Sequence, residues 1–288
     1  MSSLRPRRSV LYMPAANDRA LEKAKTIPAD AIIFDLEDAV SPDAKDVARA
    51  QAVAAVNSGE YGKRELTIRC NALATPWGHA DVAAAAKTSA SAVVIPKINS
   101  VAEVNEVSAA LDAAGAPPAM MIWAMIETPT AIMDCRAIAA HPRVAVLVMG
   151  TNDLAKELRA TQLAGRHPLV SSLHMALLAA READKPILDG VYNDIKNAEG
   201  FRAESVQGCE MGFDGKTLIH PDQVSIANDV WSPTEAEVEH ARRVIVAFDE
   251  ALAAGKGVVQ LDGRMIENLH VANAQRAIAI ADAIAELG

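Results

Sequence analysis

Charged residues stand where short apolar runs of this chain end: Glu37, Arg69, Lys97, Glu127 and Asp153. Ile32-Ile33-Phe34 leads into Asp35-Leu36-Glu37-Asp38, where period-two alternation puts Asp35 and Glu37 on one face and Asp38 at the exit. In Leu66-Thr67-Ile68-Arg69-Cys70-Asn71 the same alternation aligns Thr67, Arg69 and Asn71 and turns Ile68 and Cys70 the other way. Ile95-Pro96-Lys97, Ile126-Glu127 and Met149-Gly150-Thr151-Asn152-Asp153 complete the set. Uncompensated charge at the end of an apolar strand is costly. A divalent cation between carboxylates, with basic groups facing an anionic ligand, offsets that cost.

Glu127 and Asp153, on adjacent strand ends, are the natural metal pair. Carboxylate ligation with water in the remaining positions suits Mg²⁺, and no His or Cys stands beside them in the sequence to recruit zinc. Each residue also has a plainer reading. Glu127 and Asp153 could be salt-bridged to Arg69 and Lys97, Glu37 and Asp38 could orient neighbours or cap the following helix, and Lys97 could pair internally rather than meet substrate.

Such residues must be held by repeated strands and helices. Candidate strands are Val10–Pro14, Ala31–Asp38, Leu66–Asn71, Ala92–Ile98, Met120–Glu127, Val144–Gly150, Pro186–Val191 and Lys216–His220. Helical patterns fill the intervals: Arg19–Lys25, Ala44–Asn57, Ala80–Lys87, Val101–Ala114, Thr130–Ala139, a stretch through Leu173–Glu182, Ile195–Gln207 and Pro221–Asn228. Eight strands alternating with eight helices predict an α/β fold, a (β/α)8 TIM barrel, whose active groups sit at the carboxyl ends of the strands. The competing doubly wound sheet would carry a Gly-rich turn after its first strand, where Pro14-Ala15-Ala16-Asn17 stands instead. A barrel domain over residues 1–232 leaves 233–288 as a C-terminal helical extension. It comprises a helix Thr234–Ala254, a loop Gly255–Gly263 and a last helix Ile266–Leu287. The stripe Ile278, Ala279, Ile280, Ala283 and Ile284 reads as an interaction face.

Composition agrees. Of 288 residues 51% are hydrophobic but only 3% aromatic, which suits aliphatic parallel strands under Ala-rich helices. A net charge of −9 argues against a nucleic-acid binder. Cys70, Cys135 and Cys209 lack metal-like spacing, and the odd count implies reduced thiols in a cytoplasmic protein. No run of about 20 apolar residues exists to span a membrane, and Val10–Met13 is too short for a signal peptide. Asp214-Gly215-Lys216-Thr217 mimics the end of a phosphate loop, but Glu210 stands where that loop needs glycine. The seven histidines are scattered.

Arg8–Asn17 (RSVLYMPAAN), Ile33–Val40 (IFDLEDAV), Arg69 with Asn71, Ile126–Pro129 (IETP), Gly150–Leu154 (GTNDL) and Gly212–Pro221 (GFDGKTLIHP) occur in order. Together they resemble the citrate lyase β-subunit-like and malyl-CoA lyase branch of the aldolase/citrate lyase family. The resemblance implies a Mg²⁺ enzyme, a homotrimer or hexamer, that cleaves a 3-hydroxy dicarboxylic acyl-CoA (malyl-, citramalyl- or citryl-CoA) to an acyl-CoA and a 2-oxo acid. Two alternatives stay open: a malyl-CoA thioesterase, or a citrate lyase β subunit working on an acyl-carrier thioester. By resemblance Glu127 and Asp153 bind the metal and Arg69 binds the oxo-acid carboxylate. Glu37 and Asp38 stand near the metal waters, and the backbone after Gly150, at Thr151 and Asn152, contacts the oxo acid; Lys97 is a substrate contact on the strand-end reading alone. Lys45 matches a base near the CoA phosphates. Glu267 stands where lyases carry an aspartate that a neighbouring subunit contributes as acid/base.

Overall fold

The computed structural model describes residues 5–287. They form two compact units, residues 7–230, and residues 231–287 together with 5–6.

In the first unit eight parallel strands alternate with helices: β1 (Ser9–Pro14), α1 (Asp18–Ala24), β2 (Ala31–Asp35), α2 (Lys45–Asn57), β3 (Glu65–Arg69), α3 (Gly78–Ala85), β4 (Ala92–Ile95), α4 (Val101–Ala113), β5 (Met121–Ile126), α5 (Pro129–Ala140), β6 (Val144–Met149), α6 (Thr151–Glu157), α7 (Val170–Glu182), β7 (Ile187–Leu188), α8 (Ala198–Met211), β8 (Lys216–Leu218) and α9 (Asp222–Val230). The strands are hydrogen-bonded in the order β7-β6-β5-β4-β3-β2-β1-β8. A parallel bridge between Asp189 and Lys216 brings the two ends of that order together, so the sheet curls into the expected (β/α)8 barrel. Thr217 N–H donates to the Asp189 carbonyl at 2.9 Å across this seam.

Alternation along each strand fills the barrel. Val10, Ala31, Ile33, Ala92, Val94, Trp123, Met125, Val146, Val148 and Leu188 pack as one buried cluster, with Tyr12 against it. Two residues further along the strands the inward positions turn polar, at Asp35, Arg69 and Glu127. Apolar layers below and charged groups above thus follow from one period-two pattern. Arg7 lies over the Trp123 ring at 5.3 Å and pairs with Glu65 at 2.7 Å.

Two departures from the sequence reading matter for the site. The run expected to finish β6 at Gly150 ends at Met149, and a further helix, α6, begins at Thr151. Asp153 therefore sits in the first turn of a helix, where unpaired backbone N–H groups favour an acid, and not on a strand. Strand β7 is only two residues long, because Asp189 turns into the seam and is held by ion pairs to Arg166 and Lys216.

The second unit contains α10 (Glu235–Ala253), a hairpin of β9 (Val259–Leu261) and β10 (Arg264–Ile266), and α11 (Asn268–Leu287). The hairpin replaces most of the expected loop. Asp262 and Gly263 have φ of 49° and 78°, the pair of left-handed residues that a tight two-residue turn requires. Ala241, Val244, Phe248, Ile266, Val271 and Ala274 form its core, and Ile278 packs against them. Among the described residues no helix is long and apolar enough to cross a membrane. The three cysteines are free thiols.

Candidate active site

A cavity of about 330 Å³ opens at the carboxyl ends of the strands. Its lining includes Tyr12, Asp35, Asp38, Arg69, Glu127, Gly150, Thr151, Asn152, Asp153 and Asn193. Besides Glu127 and Asp153, nine residues were singled out from sequence as catalytic or substrate-binding; Asp38, Arg69, Gly150, Thr151 and Asn152 line the cavity, whereas Glu37, Lys45, Lys97 and Glu267 are not part of its lining.

Glu127 follows β5 directly, and the chain then turns into α5 through Thr128, whose hydroxyl accepts from Ala131 N–H, and Pro129 at the first helical position. The Glu127 carboxylate is buried. Its Oε1 accepts the Lys97 backbone N–H at 2.7 Å, while Oε2 has no hydrogen-bond partner among the described residues. Lys97 reaches this geometry with φ of 52°, in the left-handed region. Its ammonium stands 3.6 Å from Asp153 Oδ1, so one lysine touches both carboxylates. Burial pushes the Glu127 carboxyl up to about 7; the Lys97 N–H opposes this and the Asp153 charge adds to it.

Arg69 does not pair with Glu127 or Asp153. Its Nε and Nη2 donate to the two oxygens of buried Asp35 at 2.6 and 2.7 Å, a two-pronged clamp. Its Nη1 lies 2.8 Å from Glu37 Oε2 and 3.4 Å from Asp38 Oδ2. The guanidinium also lies 4.7 Å from the centre of the Tyr12 ring. Asp35 does double duty, accepting the Glu37 and Ala39 backbone N–H groups at 2.9 and 3.1 Å. Burial pushes Glu37 up to about 7 against the pull of Arg69, with Asp38, Glu127 and Asp35 adding to the rise.

Asp35, Tyr12 and Asn193 line the site without a role in the sequence reading, and for Asp35 and Tyr12 alternation marks the inward position. Tyr12 is two residues beyond inward Val10, and Asp35 two beyond inward Ile33.

Lys45, expected near the CoA phosphates, has its side chain turned into the protein. It is buried, and its ammonium donates to Leu36 O, Glu37 O and Asn71 Oδ1 at 2.7, 2.8 and 2.8 Å. It also lies over the Trp77 ring at 5.1 Å. All three of its protons are engaged inside the protein, where they fix the segment carrying Glu37. Glu267 belongs to the second unit, between β10 and α11; it is exposed, and its N–H donates to His270 Nδ1 at 3.0 Å. Cys70 faces away from the cavity, and burial pushes its thiol well up, as befits an inert packing residue.

The donor set can be tested against magnesium. Among the described residues no three His, Cys, Asp or Glu side chains cluster at ligand spacing. An ion here would rest on two carboxylates plus water and ligand oxygens, the usual habit of Mg²⁺. The unpartnered Glu127 Oε2 fits that role. So does Gly150, where a Cβ would fall 2.2 Å from the same oxygen.

The profile of the HpcH/HpaI aldolase/citrate lyase family matches residues 8–221. A (3S)-malyl-CoA thioesterase of Cereibacter sphaeroides is 49% identical over 97% of this chain and 96% of its own. The citrate lyase subunit beta of Escherichia coli is 35% identical over 91% of this chain and 89% of its own. In structure, the chain resembles the protein CitE of Mycobacterium tuberculosis, solved in complex with magnesium, acetoacetate and coenzyme A. The TM-score is 0.78 at 27% identity, covering 95% of this chain and 97% of the other.

These similarities overturn the carbon–carbon lyase expected from the motifs. Relatives at 48 to 49% identity along almost the whole chain are thioesterases, whereas lyase relatives stand at 31 to 35%. The physical reason is that the rim motifs describe a metal and an anion pocket. Cleavage of a carbon–carbon bond and hydrolysis of the thioester of one molecule both need that pocket. The chain belongs to the HpcH/HpaI aldolase/citrate lyase family.

Proposed function

We propose that this protein is a magnesium-dependent acyl-CoA thioesterase that hydrolyses a 3-hydroxy dicarboxylic thioester of the malyl-CoA type to the free acid and coenzyme A. The observation that carries the reading is one cavity bordered by Glu127, Asp153 and Arg69, in a chain 49% identical to (3S)-malyl-CoA thioesterase.

Glu127 and Asp153 would hold the ion. Bound there, magnesium supplies Lewis-acid polarisation and a chelation point for a hydroxy-carboxylate. Arg69, locked by Asp35, presents a fixed cation to the substrate carboxylate, so little reorganisation is needed when charge builds up. Glu37, held near 7, can accept the proton of the attacking water at neutral pH. Water oxygen bonds to the thioester carbonyl carbon, the carbon–sulfur bond breaks, and the thiolate leaves to be protonated as coenzyme A. Gly150, Thr151 and Asn152 border the space beside the metal pair, and Lys97 neutralises it from behind.

The test is product identity. Full-length protein with Mg²⁺ and (3S)-malyl-CoA should release free thiol and malate in equal amounts, with no glyoxylate. Absence of thiol release, or dependence on an acyl-carrier protein, would refute the proposal.

A further inference from the structure

We propose that the Tyr12 hydroxyl is a specificity-determining hydrogen-bond donor on the cavity floor, reserved for the carboxylate of the bound acyl group. The inference rests on the malyl-type reading and deepens it.

Among the described residues Tyr12 is the only tyrosine lining the cavity. It points inward from β1, one inward step above Val10 in the barrel core, and its ring is fixed from below by that core and from the side by the Arg69 guanidinium at 4.7 Å. The hydroxyl nevertheless makes no hydrogen bond to any described residue. Phenol groups in protein interiors normally find a partner; Tyr61 does so, donating to Leu21 O at 3.0 Å. A rigidly held ring with an unused donor facing an open cavity is therefore arranged for something that enters it.

The surroundings say what that is. Burial pushes the phenol up; Arg69 pulls against this, and Asp35, Glu127 and Glu37 add to the rise, so the group keeps its proton and acts as a donor at neutral pH. The same neighbours are negatively charged, and Arg69 already has its Nε and Nη2 committed to Asp35. An incoming carboxylate consequently meets few free donors on the floor. A neutral hydroxyl adds one without requiring another buried charge. A site that hydrogen-bonds a polar group discriminates strongly against an analogue lacking that group.

The experiment is Tyr12→Phe in the full chain, which removes one oxygen and leaves the ring. With Mg²⁺ present, L-malate binding should weaken about tenfold by calorimetry, the size of one lost hydrogen bond to a charged group. Mg²⁺ affinity and thermal midpoint should hold. For hydrolysis, kcat/KM on malyl-CoA should fall by a similar factor, while turnover of 3-hydroxybutyryl-CoA, which carries a methyl in place of the carboxylate, should be unchanged. Equal losses on both thioesters, undiminished malate binding in the variant, or no malate binding by the unaltered protein would each overturn the assignment. Malate binding that Tyr12→Phe weakens, in a protein that does not hydrolyse malyl-CoA, would uphold Tyr12 while removing the thioesterase reading.

Discussion

Gly150 leaves the space that Glu127 occupies: a Cβ at position 150 would lie 2.2 Å from Glu127 Oε2 and 2.4 Å from its Cβ. The glycine has φ of −96°, which any residue adopts, so the constraint is purely steric. Gly150→Ala should displace Glu127. The expected result is at least a 100-fold loss of Mg²⁺-dependent activity and weaker Mg²⁺ binding by calorimetry. Overpacking of this kind costs about 1–3 kcal/mol, so the folded protein should persist with a lower thermal midpoint.

Glu127→Gln and Asp153→Asn keep size and remove one negative charge each. Both should lower malyl-CoA hydrolysis by about 100-fold or more, the scale on which a metal-site electrostatic contribution acts. Chelation with EDTA should silence the unaltered protein, and added Mg²⁺ should restore it. Full activity in metal-depleted buffer would sink the metal assignment.

Arg69→Met would strand Asp35, which is fully buried and currently clamped. Losing one partner of a buried pair costs about 3–5 kcal/mol, readable in urea unfolding. Arg69→Lys retains the charge but not the fork. It should be better tolerated for folding and should still raise KM for a carboxylated thioester.

Lys45→Met distinguishes a structural lysine from a phosphate contact. Three hydrogen bonds would be lost, although Leu36 O keeps the Asn71 amide donor, costing on the order of 3 kcal/mol. The KM for the coenzyme A thioester should stay within about twofold, since the ammonium is turned inward. A large rise in KM with unchanged stability would contradict this.

Asp189 should make the barrel seam acid-labile. Burial alone would raise its carboxyl, but Lys216 and Arg166 outweigh burial and hold it below the ordinary 3.8. A lowered folded-state value stabilises the native form fully above the unfolded value. That contribution is lost as pH drops below 3.8 toward the folded value. Lys216→Met should weaken the protein at neutral pH and flatten this part of its acid-unfolding curve.

Much of the site was legible because a parallel barrel converts sequence order into position. Alternation sorted inward Arg69 from outward Cys70, and the strand-end rule picked out Glu127 from thirty-seven acids. The α6 start escaped notice because Val-Leu-Val-Met runs into Gly-Thr-Asn-Asp without a break in polarity that separates a strand exit from a helix cap. The Asp262-Gly263 turn escaped because its flanking strands are three residues each, too short for alternation to register.

What the sequence determined by itself was the repeat of strand and helix, the ring of charges at one rim and the family, since all three are written in local order and residue type. Only the tertiary structure decided which charge neutralises which. Arg69 faces Asp35 rather than Glu127 and Asp153, Lys45 turns inward, and Gly150 makes room for Glu127, because each depends on distances between strands that no local pattern encodes.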